Sequence, residues 1–137
     1  MVVFLGCNHA SCERDTRVVI SEAANPPTFS LSGNGYLNFF WVSELDNVSP
    51  TGKESRALDD ERTIWEIWPT NVRSTAIYDL PPIVYGRVPA GFTQKIPAVG
   101  GPRPLVEGKS YEAGGPSSGA NMKVFRFSIK DGKAIER

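Results

Sequence analysis

Short apolar runs recur along the chain, most of them closed by glycine, proline or asparagine, and this punctuation predicts strands rather than helices. Residues 16–22 (TRVVISE) set Val18 and Ile20 on one face, and Asn25-Pro26-Pro27 ends the run. Residues 36–45 (YLNFFWVSEL) follow the turn Ser32-Gly33-Asn34-Gly35. Period-two burial there selects Leu37, Phe39, Trp41, Ser43 and Leu45 as the inward face. Residues 63–68 (TIWEIW) alternate Trp65 and Ile67 against Ile64, Glu66 and Trp68, and Pro69 stops them. A short strand is expected within 72–78. Another is expected over 83–88, with Gly86 as a bulge. Residues 110–113 form a short strand. Residues 122–130 (MKVFRFSIK) place Phe125, Phe127 and Ile129 on one face, and Asp131-Gly132 is a turn.

About seven short strands predict an all-β domain, a two-sheet sandwich or a small barrel. Phe39, Trp41, Trp65, Ile67, Phe125 and Phe127 are the expected core. Thirteen glycines and eleven prolines leave little room for helix. At 137 residues the chain fits one domain able to bury a core without disulfides or metals. That domain is expected over 13–137, with 1–12 as a leader remnant or tether.

One local run selects the sandwich. Leu105, Gly108 and Tyr111 are spaced by three, just ahead of a strand. This resembles the tyrosine corner of Greek-key sandwiches, and fibronectin type III and immunoglobulin-like domains carry similar runs. The resemblance implies an immunoglobulin-like sandwich with a buried Tyr111 whose hydroxyl bonds to backbone near Glu107.

Fifteen basic and fifteen acidic residues cancel, which excludes the electrostatic footprint of a nucleic-acid binder. No window reaches the roughly 18 apolar residues of a spanning helix. The two cysteines, Cys7 and Cys12, lie ahead of every expected core strand. Val2-Val3-Phe4-Leu5-Gly6-Cys7 resembles the tail of a bacterial lipoprotein signal, which ends in an apolar run, a small residue and the cysteine that takes the lipid. Phe4 and Leu5 depart from that pattern, and the run is short and lacks a basic region. A start placed too far downstream would account for the short run. Two other readings stand beside it: an ordinary strand over 2–5, and a Cys7–Cys12 disulfide or a metal site with His9. Three such ligands fall short of the four of a closed zinc site.

Catalysis by proton transfer or nucleophilic attack draws mostly on histidine or clustered carboxylates. His9 is the single histidine and sits in the expected tether. No Walker loop, Ser-His-Asp set or metal-binding motif is present in the sequence. The expectation is therefore a non-enzymatic chain with no cofactor. Trp41 and Trp65 read as core. Trp68, Tyr78, Tyr85 and Phe92 are the candidates for a ligand-binding surface. Residues 83–97, with Pro104-Leu105 and Gly108 to Tyr111, resemble the C-terminal half of small uncharacterised bacterial lipoproteins. Together these readings predict a lipid-anchored, periplasmic or extracellular domain of the bacterial envelope that binds or scaffolds a protein or glycan partner. The membrane would be met only through the lipid on Cys7. The alternative is a carbohydrate-binding module using exposed aromatics.

Overall fold

A computed structural model describes residues 16–22, 24–45, 62–71, 75–118 and 122–137. Its strands are β1 (Arg17–Glu22), β2 (Thr28–Ser32), β3 (Tyr36–Leu37), β4 (Phe40–Glu44), β5 (Thr63–Pro69) and β6 (Thr75–Ala76). A 3-10 turn follows at Ile77–Asp79. The remainder are β7 (Ile83–Val84), β8 (Phe92–Ile96), β9 (Ser110–Gly114), β10 (Ser117–Ser118), β11 (Phe125–Lys130) and β12 (Lys133–Glu136).

The strands form an open sandwich and no closed barrel. One sheet has the order β1-β2-β7, and the larger has the order β12-β11-β9-β4-β5-β8, all pairs antiparallel. A small third sheet, β10-β3-β6, closes one margin. The chain leaves β2, crosses to β4 and β5, returns to β7 beside β2, then crosses again to β8 beside β5 and on to β9 beside β4. With the edge strands β8 and β12 set aside, β1-β2-β7 against β11-β9-β4-β5 is an immunoglobulin-like Greek-key order. A parallel bridge between Thr16 and Met122 and an antiparallel one between Ala24 and Lys133 join the margins of the two sheets.

Phe29 of β2 carries the contact between layers. Its ring lies 5.3 Å from Phe40 and 5.6 Å from Phe127, both on the larger sheet. Trp65 meets Phe40 edge-on, and Phe127 stacks on Tyr111 and Phe125. Tilted and edge-on ring pairs of this kind let the negative ring faces meet positive edges. Ile67, Ile83, Ile129 and Leu37 fill the space between them.

Several sequence expectations are corrected. Alternation over 36–45 does not run unbroken. Asn38 and Phe39 interrupt it, with the Asn38 amide donating to the Pro116 carbonyl at 3.0 Å. The phase then reverses, so Phe40 and Val42 join Leu37 in the main core. Phe39, Trp41 and Ser43 are buried outside that core. In β5 a bulge beside the Val42–Ser43 step brings Ile64 into the core with Trp65 and Ile67. The strand expected over 83–88 stops at Val84, and Gly86, at φ +85°, turns the chain instead of bulging a strand. β2, β8, β10 and β12 are not among the strands expected from the sequence. Residues 1–15 lie outside the described residues, and with them the tether, Cys7, His9 and Cys12.

Candidate functional site

The sequence nominates four aromatic residues for a ligand surface, and the fold separates them. Tyr78 sits in the 3-10 turn, where Ile77 takes the inward position, and it is 74% exposed. Trp68 is half-buried near the end of β5. Its ring stacks on Phe39 at 4.4 Å, the Lys95 ammonium lies 4.9 Å from the ring centroid, and its indole N–H donates to Glu66 at 2.7 Å. Trp68 thus belongs to a cluster built from residue 39, β5 and β8.

Tyr85 and Phe92 are not the exposed aromatics expected: both are buried core residues, and each reaches only the lining of a groove. Tyr85 packs edge-on against Trp65 at 5.4 Å, and its hydroxyl donates to the Arg103 carbonyl at 2.7 Å. Burial pushes its phenol well above the usual tyrosine range. Tyr111 and Glu44 add to the rise, and the Arg103 guanidinium opposes it. Phe92 pairs with Pro69 at the start of β8, which turns its ring inward. Both flank proline-rich turns, but the sheets close over them.

Beside Tyr78 in the chain, a groove of about 360 Å³ opens between the end of β5, the 3-10 turn and the start of β8. Its apolar floor includes Pro69, Leu80 and Phe92, and its polar groups are Asn71, Thr75 and Asp79. The volume falls in the range of small-molecule sites. Thr70 ties two walls together, its amide and hydroxyl both donating to the Gly91 carbonyl at 2.8 and 3.1 Å. The groove therefore offers an amide, a hydroxyl and a carboxylate over an apolar base held by paired strands. Asn71 and Thr75 escaped the sequence reading because nothing in their local pattern distinguishes them from loop residues.

At the other end of the larger sheet, the run 105–111 makes a corner of the kind its resemblance implies. Leu105 and Tyr111 are buried, and Gly108 turns the chain at φ +86°. The Tyr111 hydroxyl accepts the Val106 amide at 2.8 Å. Glu44 pairs there with Arg103 and with Lys109, the latter at 3.1 Å.

Two buried carboxylates escaped the sequence reading. Glu66 and Glu112 lie with Trp41 and Ser43 on the side of the larger sheet away from the main core. Glu66 accepts from Trp68, and Arg126 approaches Glu112 at 3.8 Å. Among the described residues, no three His, Cys, Asp or Glu side chains come together as a metal site, and no helix is long and apolar enough to cross a membrane. No family model, no curated protein and no solved structure matches this chain.

Proposed function

We propose that the chain is a non-enzymatic binding or scaffolding domain of the bacterial cell envelope, held there by a lipid on Cys7. The groove beside Tyr78 supports the recognition half of this reading. It presents Asn71, Thr75 and Asp79 over an apolar floor, on strand ends and loops positioned by a rigid sandwich. Among the described residues, Asp79 is the one ionisable side chain of its lining. That suits hydrogen bonding to a ligand better than proton transfer between an acid and a base. The reading needs no cofactor, and the partner is a protein or a glycan. The carbohydrate alternative draws on Tyr78 as its aromatic platform, since Tyr85 and Phe92 are buried and Trp68 is engaged by Phe39 and Lys95. The Gly6-Cys7 junction supports the anchor.

Expression in a bacterium with the natural upstream region, under metabolic labelling with an alkyne fatty acid, tests the anchor. Wild type should carry label and sediment with membranes, and Cys7→Ser should do neither. Stable attachment needs more than one acyl chain. Equal soluble fractions for both proteins would remove the envelope reading. Titration of the labelled domain with envelope peptides and glycans, followed by NMR, tests the groove. Shifts should centre on Asn71, Thr75 and Asp79, and shifts confined to another surface would remove the groove as the recognition site.

A further inference from the structure

Two dipeptides carry the same latent chemistry. Asn34-Gly35 is the chain's single Asn-Gly pair, and Asp131-Gly132 is its single Asp-Gly pair. In both, glycine has no side chain to hinder its own main-chain nitrogen from attacking the preceding Cγ. The new N–C bond closes a five-membered imide. Asn34 would lose ammonia in that step, and Asp131 would lose water. Water then opens the ring at either carbonyl, giving aspartate or isoaspartate.

The two turns hold that nitrogen differently. Asp131 and Gly132, at φ +54° and +72°, make the two-residue turn between β11 and β12, closed by the Lys130–Lys133 pair. The Glu107 carboxylate accepts the Asp131 amide at 2.6 Å and the Gly132 amide at 3.1 Å. The Gly132 nitrogen must give up its proton to attack. Here that proton is held by a carboxylate, and a second negative charge beside it is unfavourable. Asn34-Gly35 is anchored at its carbonyls instead. The Thr16 hydroxyl donates to the Asn34 carbonyl at 3.2 Å, and the Ile77 amide donates to the Gly35 carbonyl at 3.0 Å. Asn34 is exposed, and the Gly35 N–H makes no hydrogen bond among the described residues.

We propose that Asn34 is a site of spontaneous deamidation in the folded protein, and that Glu107 shields Asp131 from the parallel reaction. Deamidation replaces a neutral amide with a carboxylate in a chain whose formal net charge is +0. Isoaspartate also lengthens the main chain between the two anchored carbonyls, which loosens the ties to Thr16 and Ile77.

The test incubates the full chain at mildly alkaline pH, folded and in unfolding urea. Peptide mapping and isoaspartyl methyltransferase labelling follow residues 34 and 131. Asn34 should convert in the folded protein at a rate comparable to that in urea, with ammonia released. Asn34→Gln should abolish conversion at this site. Asp131 should react at least about tenfold more slowly folded than in urea, the factor supplied by a charge-assisted hydrogen bond. Glu107→Ala should bring the folded rate at Asp131 close to the urea rate. If circular dichroism finds that variant unfolded, Glu107→Gln, which keeps one acceptor and no charge, should give an intermediate rate. Asn34 intact in the folded protein while it converts in urea overturns the first half. Equal folded rates at Asp131 in wild type and the folded Glu107 variant overturn the second.

Discussion

The Tyr111 hydroxyl accepts the main-chain amide of Val106, five residues upstream, at 2.8 Å. This bond ties the loop that enters β9 to the strand itself. Gly108 makes the bend between them, and its amide donates to the Ile129 carbonyl of β11 at 2.8 Å. One phenol thus links the crossover between sheets to the middle of the larger sheet, where its ring stacks on Phe127.

Tyr111→Phe keeps the ring and removes only the acceptor. The expected loss is about 1 kcal/mol, and up to about 3 if the Val106 amide is left without a partner. Tyr111→Ala also empties a core position and should lose about 3–5 kcal/mol. Urea unfolding at matched m-values measures both. A phenylalanine variant as stable as wild type would show that the bond contributes nothing.

Gly115 lies against the Phe39 carbonyl so closely that a Cβ there would overlap it. The neighbouring Asn38–Pro116 hydrogen bond holds the two segments together. Gly115→Ala should therefore force the segments apart and lose about 1–3 kcal/mol, as overpacking does. Gly101→Ala, where a Cβ meets nothing within 4 Å, is the matched control and should leave the midpoint unchanged. Equal midpoints for the two variants would contradict the close approach.

Gln94 joins a buried ring to a surface loop. Its carbonyl accepts the Trp65 indole N–H at 2.9 Å, and its amide donates to the Pro97 and Gly100 carbonyls at 2.8 and 2.7 Å. Gln94→Ala strips all three bonds and leaves a buried indole N–H without its acceptor. The expected loss is about 1–3 kcal/mol, with faster hydrogen exchange and proteolysis around residues 97–101. Thr93→Ala, at an exposed position of the same strand, should change neither. Unchanged cleavage of the loop in Gln94→Ala would count against the clamp.

The raised Tyr85 pKa predicts a stability that depends on alkaline pH. The native state holds the phenol proton more tightly than the unfolded chain, whose tyrosines titrate near the ordinary value of about 10. Below that pH both states are protonated and the contribution is whole. Above it the unfolded chain releases the proton first, so stability falls as pH rises toward the higher native pKa. Tyr85→Phe should lose about 1 kcal/mol at neutral pH through its bond to Arg103, and should show a shallower alkaline fall. Parallel alkaline slopes for the two proteins would rule out Tyr85 as the source.

Much of the architecture is legible in local pattern. β11 is buried on one face only, so Phe125, Phe127 and Ile129 alternate with polar residues and reveal both strand and face. Asp131-Gly132 declares its turn because the turn needs positive φ at both positions. Leu105, Gly108 and Tyr111 are legible through their resemblance to a tyrosine corner, whose bend and hydroxyl bond lie within these seven residues. The all-β class follows from such signals together with the abundant proline and glycine.

Tertiary structure alone decided the rest. The face of β4 reverses because Asn38 bonds to Pro116, a partner far along the chain, so period two counted from Leu37 selects Phe39 and Trp41 where Phe40 and Val42 occupy the main core. β8 carries Thr93, Gln94 and Lys95, and pairing with β5 makes it a strand despite that polarity. Tyr85 and Phe92 are buried because Trp65 and the end of β5 meet them, not because of anything in their own neighbourhood. The groove of Asn71, Thr75 and Asp79 exists because three segments converge on it. Local pattern records the hydrogen-bonding and steric needs of a few successive residues. Burial and site geometry depend on which distant segment arrives to cover them, and that is set by the packing of the two sheets.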